Sequence, residues 1–238
     1  MELENLKNYG VEMNLIFQKI PQNHPMVVKE AKGTATAIIR RKLGLPKMIV
    51  MLFYLIKEKK RINEIPFPAK QSMSEETAAM LKNSFSAKAA MFCALAKVTD
   101  NIRAMKIMKE ITNATAYLSA MTELPGPEDF LACGDGFTAF KDYILEMFQV
   151  SRQAGIHEYV ILENTEDCLE FDITYCAIYE YMNKIAPREA CRANCYGDDI
   201  LFPKLCPQLG TCFKRKGNMA EGYACCNTRF ERMGDMHE

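Results

Sequence analysis

Eight of the ten cysteines in this 238-residue chain lie beyond residue 167: Cys168, Cys176, Cys191, Cys195, Cys206, Cys212, Cys225 and Cys226. A cysteine can serve as a nucleophile or a metal ligand once ionised, or it can fill a core as a small apolar side chain. The spacings narrow this choice only in part. No Cys-x-x-Cys pair occurs, so a zinc ribbon or knuckle is a poor match. Cys191 and Cys195 are separated by three residues, and Cys225 and Cys226 are adjacent. Adjacent residues of a strand point to opposite faces, so at most one of the latter two faces a given site.

Other polar residues have roles to play beside these thiols. Cys176 stands where a β-prone run gives way to a helical one. The free N–H groups at a helix start lower a thiol pKa, a setting for a nucleophile or a metal-bound thiolate. Asp198 follows Cys195 by three residues, within its reach in a turn. Glu180 lies one turn beyond Cys176 on the same helix face, where it can act as a general base or simply be solvated. Arg215, between Lys214 and Lys216, offers a fork for a substrate carboxylate, the alternative being a solvated strand end. Cys176, Cys195 and Cys226, with Asp198, also make a donor set for a metal ion or an iron–sulfur cluster. Of the three histidines only His157 adjoins this region; it precedes a strand and reads as a surface residue. There is no phosphate-binding glycine loop, no His-Glu-x-x-His and no Gly-x-Ser-x-Gly. Tyr175, Tyr179 and Tyr181 read as packing residues, and Cys133-Gly134-Asp135-Gly136 as a tight turn before a helix.

The elements that must position these residues follow from hydrophobic periodicity. Residues 1–155 read as helices: one over Val11–Ile20, one over Pro25–Leu43 closed by Gly44, and one from Pro46 to Arg61. Residues 63–72 carry Pro66 and Pro68 and read as a loop. Ser74, followed by Glu75 and Glu76, is an N-cap with acidic residues suited to the helix dipole. Leu81, Phe85, Phe92 and Leu95 then recur at helical spacing, as do Ile102, Met105, Met108, Ile111, Thr115 and Leu118. Pro125-Gly126-Pro127 interrupts, and Phe137, Phe140, Ile144, Met147 and Phe148 form a last stripe before Gly155. Beyond Gly155 the period shortens. Tyr159–Leu162 and the alternating Leu169, Phe171 and Ile173 make a hairpin across Asn164–Asp167. Cys176–Ile185 reads as a short helix stopped by Pro187, and Thr211–Lys216 and Ala224–Glu231 as two strands joined by a turn around Gly217-Asn218. The expected fold is α+β: a helical N-terminal part, 1–155, packed on a C-terminal four-stranded, mainly antiparallel sheet in a cysteine-rich part, 156–238, the two forming one compact unit.

Composition sets the remaining bounds. Hydrophobic residues make up 49 % of the chain, enough for a real core, and Lys+Arg and Asp+Glu balance at 30 each, which gives no sign of nucleic-acid binding. Residues 1–155 hold 21 basic and 16 acidic side chains, while the rest hold 9 and 14, as in two faces of one fold that attract each other. The start of the chain lacks the features of a signal peptide, and the longest apolar run, Met48–Ile56, is about half the length that spans a bilayer. That run reads as a buried helix. A cytoplasmic protein with reduced thiols and no membrane partner is expected, which disfavours a disulfide framework.

The order Phe171-x-x-Thr174-x-Cys176-x-x-Tyr179-Glu180, then Cys195-x-x-Asp198, Phe213-x-Arg215 and Gly222-x-x-x-Cys226-x-x-Arg229-Phe230 resembles the L-2-amino-thiazoline-4-carboxylate hydrolase family. The chain departs from the family pattern at Asn227 and Thr228, where the pattern has Asp and Phe. The resemblance implies a hydrolase of non-peptide carbon–nitrogen bonds that opens the ring of a small-molecule substrate. In such a reaction Cys176 or Cys226 supplies a thiolate, Asp198 or Glu180 carries the proton, and Arg215 holds the substrate carboxylate. The alternative expectation is a metal- or cluster-binding module without hydrolase activity, held by Cys176, Cys195 and Cys226.

Overall fold

A computed structural model describes residues 24–120 and 124–234. The helix expected over Val11–Ile20 lies outside the described residues. The chain forms a helical N-terminal part followed by a four-stranded antiparallel sheet, an α+β fold.

Helix α1 runs over His24–Asn63 and is broken at Gly44, whose φ of 69° and ψ of 166° are not helical. A positive φ at this point suits glycine, which has no Cβ to clash. The sequence reading of two helices meeting at Gly44 therefore holds. The run Met48–Ile56 is helical, but only one side of it is buried. Met51 is 1 % exposed, whereas Ile49, Phe53 and Ile56 are 56–70 % exposed, which corrects the expectation of a buried helix. Helix α2, Glu75–Val98, starts at Ser74, whose hydroxyl accepts from Thr77 N–H as expected. Helices α3 (Asn101–Ala120), α4 (Pro127–Leu131) and α5 (Gly136–Gln153) follow. Asp135 caps α5 and also receives Arg232 from the last strand, so the Cys133–Gly136 turn ties helix to sheet.

Strands β1 (His157–Asn164) and β2 (Cys168–Cys176) form the expected hairpin, and α6 (Ala177–Ile185) begins directly after Cys176. Two helices that the sequence reading did not foresee come next, α7 (Arg188–Cys195) and α8 (Asp198–Leu205). Strands β3 (Thr211–Lys214) and β4 (Cys226–Arg232) complete a sheet of order β1-β2-β4-β3. Their connection is a long one with a 3₁₀ turn at Met219–Glu221, in place of the tight turn expected at Gly217-Asn218.

One side of the sheet packs on α5 and α8. Phe140, Phe171, Phe202 and Phe213 all place their rings 5.0–6.4 Å from Phe230 or from a ring that touches it. A second cluster joins Phe92, Leu95 and Ile107 of the N-terminal helices to Tyr181, Ile185 and Cys191. There the Tyr181 hydroxyl meets Ser86 Oγ at 2.7 Å, so the buried phenol is satisfied. The other side of the sheet is polar: Glu170 and Asp172 of β2 face Arg229 and Asn227 of β4.

Phe230 is 1 % exposed at the centre of the aromatic cluster. Phe230→Ala is expected to destabilise the fold by about 3–5 kcal/mol, read as a fall in the urea midpoint at an unchanged m-value.

Candidate functional site

The β2–β4 pairing decides which thiols meet. Ile173 lies opposite Cys226, Phe171 opposite Thr228 and Leu169 opposite Phe230. Side chains alternate between faces along a strand, so Phe171, Ile173, Cys226, Thr228 and Phe230 share the helix-packed side. Cys176 ends β2 at that side's rim, α7 carries Cys195 at its last residue, and α8 opens with Asp198. Arg215 follows β3. All of these residues line one cavity of about 270 Å³, together with Tyr179, Asn194, Asn218 and His157. A second, more open groove of about 590 Å³ lies among α2, α3, α7 and α8 and shares Asn194 and Asp198 with it.

Cys176, Cys195, Asp198, Cys226 and Arg215, picked out from sequence, are thus gathered in one place. Glu180 is not: it is exposed on α6 and does not line the cavity, which removes it from the set of candidate bases. Cys225, which immediately precedes β4, hydrogen-bonds toward Asp172 on the opposite side of the sheet. Asn227 points that way too, its amide donating to Glu170 at 3.0 Å and to Asp172 at 2.9 Å. Of the two departures from the family pattern, only Thr228 borders the cavity.

The thiols are neutral at rest. Cys176 is the N-cap of α6 and accepts Tyr179 N–H at 3.4 Å, the setting that favours a thiolate. Burial outweighs it and pushes the Cys176 pKa up to about 12, with Cys195 and Cys226 close enough to add to the rise. The expected depression of this thiol is therefore corrected. Desolvation can shift a buried group by several units, more than the contacts from Tyr179 and Ile178 N–H return. Cys195 is raised by its hydrogen bond with Cys191, one turn earlier on α7, and by burial. Burial also raises Cys226, although Met219 N–H reaches its sulfur at 3.3 Å. Among the described residues, no group of three or more His, Cys, Asp or Glu side chains could hold a metal ion. The three thiols thus line the cavity without forming the donor set that the metal reading needs.

Arg215 is the cation of the cavity. Its side chain is 10 % exposed, with Nη2 2.7 Å from Asp198 Oδ2 and Nη1 3.1 Å from Asp199 Oδ1. Burial opposes its charge, but the two carboxylates outweigh that and raise its pKa. Its Nε is buried with no hydrogen-bond partner. The expectation of a solvated strand end does not describe it.

His157, which reads from sequence as a surface residue, instead lines the cavity. It opens β1, directly opposite Cys176 in the register. Its ring packs on Phe148, and Nδ1 lies 2.6 Å from Ser151 Oγ. Burial lowers its pKa to about 4 against the pull of Asp198, so the imidazole is neutral near pH 7. The signal in the sequence was its place at the start of the hairpin whose other end is Cys176. That placement became informative only once the register was known.

No curated protein matches the chain. Residues 78–230 match the profile of the family described as L-2-amino-thiazoline-4-carboxylic acid hydrolase. That match takes in more than half of the sequence, from α2 to the core of β4, and includes every cavity residue discussed above. The chain belongs to the L-2-amino-thiazoline-4-carboxylic acid hydrolase family.

Proposed function

We propose that this protein opens the ring of a small cyclic isothiourea or amidine carrying a carboxylate, such as 2-amino-thiazoline-4-carboxylate, by hydrolysis at a carbon–nitrogen bond. The observation that carries this reading is the convergence of three thiols, Asp198 and Arg215 on one cavity in a chain of this family. The cavity's 270 Å³ lies just below the range of about 300–1,000 Å³ usual for ligand pockets, which fits a substrate of one small ring.

The chemistry follows from the electrophile. Ring opening needs a nucleophile at the carbon between sulfur and nitrogen and a proton for the departing heteroatom. A thiol or a water molecule next to it can attack, and Asp198 lies beside both Arg215 and the thiols to steady the charges that develop. Asp198, on the cavity wall, attracts a substrate amidinium. Arg215, on the cavity wall, is the cation that faces a substrate carboxylate.

Purified, reduced protein is expected to convert 2-amino-thiazoline-4-carboxylate to a product heavier by one water, followed by mass spectrometry. Folded protein that leaves this compound and its ring homologues intact would overturn the reading. Arg215→Lys keeps the charge and loses the planar guanidinium fork. It is expected to raise KM about 10–100-fold for the carboxylate substrate, with little effect on 2-amino-thiazoline, which lacks that group.

The raised thiols give a pH prediction. Cys176 and Cys206 ionise near 12 when folded against an ordinary 9.0, so the unfolded chain releases their protons first as pH rises. Stability from these thiols is complete below pH 9 and is lost between pH 9 and 12. Urea midpoints are expected to fall through that window, and Cys176→Ser to flatten the fall.

A further inference from the structure

The three cavity thiols are not equivalent. Cys226 faces Ile173 across the sheet, and Cys195 shares its hydrogen with Cys191. Only Cys176 has a proton acceptor as its cross-strand partner, His157. Directly opposed residues of an antiparallel pair hold their Cβ atoms about 4.5–5.5 Å apart, within reach for a thiol and an imidazole. Both side chains line the same cavity. The ladder slips immediately beyond, between Glu158 and Tyr159, and irregularities of this kind re-aim side chains beside active sites.

Each member of the pair is held by further groups. Ser151, on α5, engages Nδ1 of His157, and the Phe148 ring lies 5.7 Å from the imidazole. The ring nitrogen left over is Nε2. When Ser151 Oγ accepts from Nδ1–H, Nε2 carries the lone pair needed to take a proton. Tyr179 N–H, at the start of α6, already points at the Cys176 sulfur, where negative charge appears as the S–H bond breaks. Asp198 stabilises the imidazolium that results.

We propose that Cys176 and His157 form the reacting pair of this site, Cys176 as the nucleophile and His157 as the group that takes and returns its proton. This deepens the ring-opening reading and rests on it for the identity of the substrate. Cys176 Sγ bonds to the electrophilic carbon while its proton passes to His157 Nε2. The C=N electron pair moves to nitrogen, which takes that proton. A nitrogen that stays on the carbon then re-forms the C=N bond and yields its proton to His157 Nε2 as the ring bond from that carbon to the other heteroatom breaks, and the imidazole hands that proton to the departing heteroatom. Water attacks the Cys176-bound carbon, His157 accepts its proton, and the carbon–sulfur bond breaks to restore the thiol. One water is consumed and nothing is oxidised or reduced. Because thiol and imidazole are both neutral at rest, proton transfer accompanies bond formation and no ion pair stands ready beforehand.

The test compares wild-type protein with His157→Gln and Ser151→Ala, each checked for folding by near-UV circular dichroism. Two readouts are taken: the rate of Cys176 carbamidomethylation by iodoacetamide, followed by peptide mass spectrometry, and turnover of 2-amino-thiazoline-4-carboxylate. His157→Gln is expected to slow Cys176 alkylation at least about tenfold while leaving Cys226 within about threefold, and to lower kcat by about 10²–10⁴ at a nearly constant KM. Ser151→Ala keeps the imidazole and releases its orientation. It is expected to lower kcat by about tenfold, and it carries the comparison if the glutamine variant does not fold. Unchanged Cys176 alkylation and kcat in a folded variant would overturn the pair. Alkylation that depends on His157 in a wild-type protein with no turnover supports the pair and rejects the ring-opening reading instead.

Discussion

Strand β2 lies on β4 with Ile173 opposite Cys226, and a slip of one residue would turn Cys226, Thr228 and Phe230 away from the helices and bring Asn227 and Arg229 in. The cavity exists only in the observed register. Two unlike interactions hold it. On the inner side, Leu169 and Phe171 of β2 and Phe230 of β4 are buried against α5 and α8. On the outer side, Arg229 bonds Glu163, Glu170 and Glu231, so that one guanidinium ties β1, β2 and β4 together. Glu170, little exposed, is held down to about pKa 2 by its hydrogen bonds from Asn227 and Arg229. A displaced register would put these charges into the hydrocarbon and the phenylalanines into water, so both faces oppose it.

The same burial that fixes the fold sets the character of the site. Its thiols are walled in among Phe202, Phe230 and Ile173, and a sulfur in such surroundings keeps its proton. A helix start does not change that here, because weak N–H contacts from Tyr179 and Ile178 oppose the loss of a whole hydration shell. Burial thus keeps these sulfurs protonated, and the thiolate is the form that oxidises.

Much of this was legible from residue patterns. The capping Ser74, the break at Gly44 and the alternation of Leu169, Phe171 and Ile173 are local signals, and each element appeared where they placed it. The thiol cluster was legible because its members sit at element boundaries, which a change of period marks. Other features depend on distant parts of the chain. Helices α7 and α8 are short, and Pro187 and Pro203 mask their pattern. His157 gained its place from a partner nineteen residues away, and Glu180 lost its own because one side of α6 faces outward. The Met48–Ile56 run shows a related limit, since apolarity located the helix but could not tell how many of its sides are covered.

Asn227 has a consequence for how this sequence can change. Its side-chain amide sits between the carboxylates of Glu170 and Asp172 and gives a hydrogen to each. An aspartate there has none to give, and it would set a third negative group beside the other two. Such a chain would have to neutralise one acid with a proton or a fresh cation, or surrender one of its neighbours. Relatives bearing the acid are therefore expected to differ at position 170 or 172, or to carry an added cation beside them.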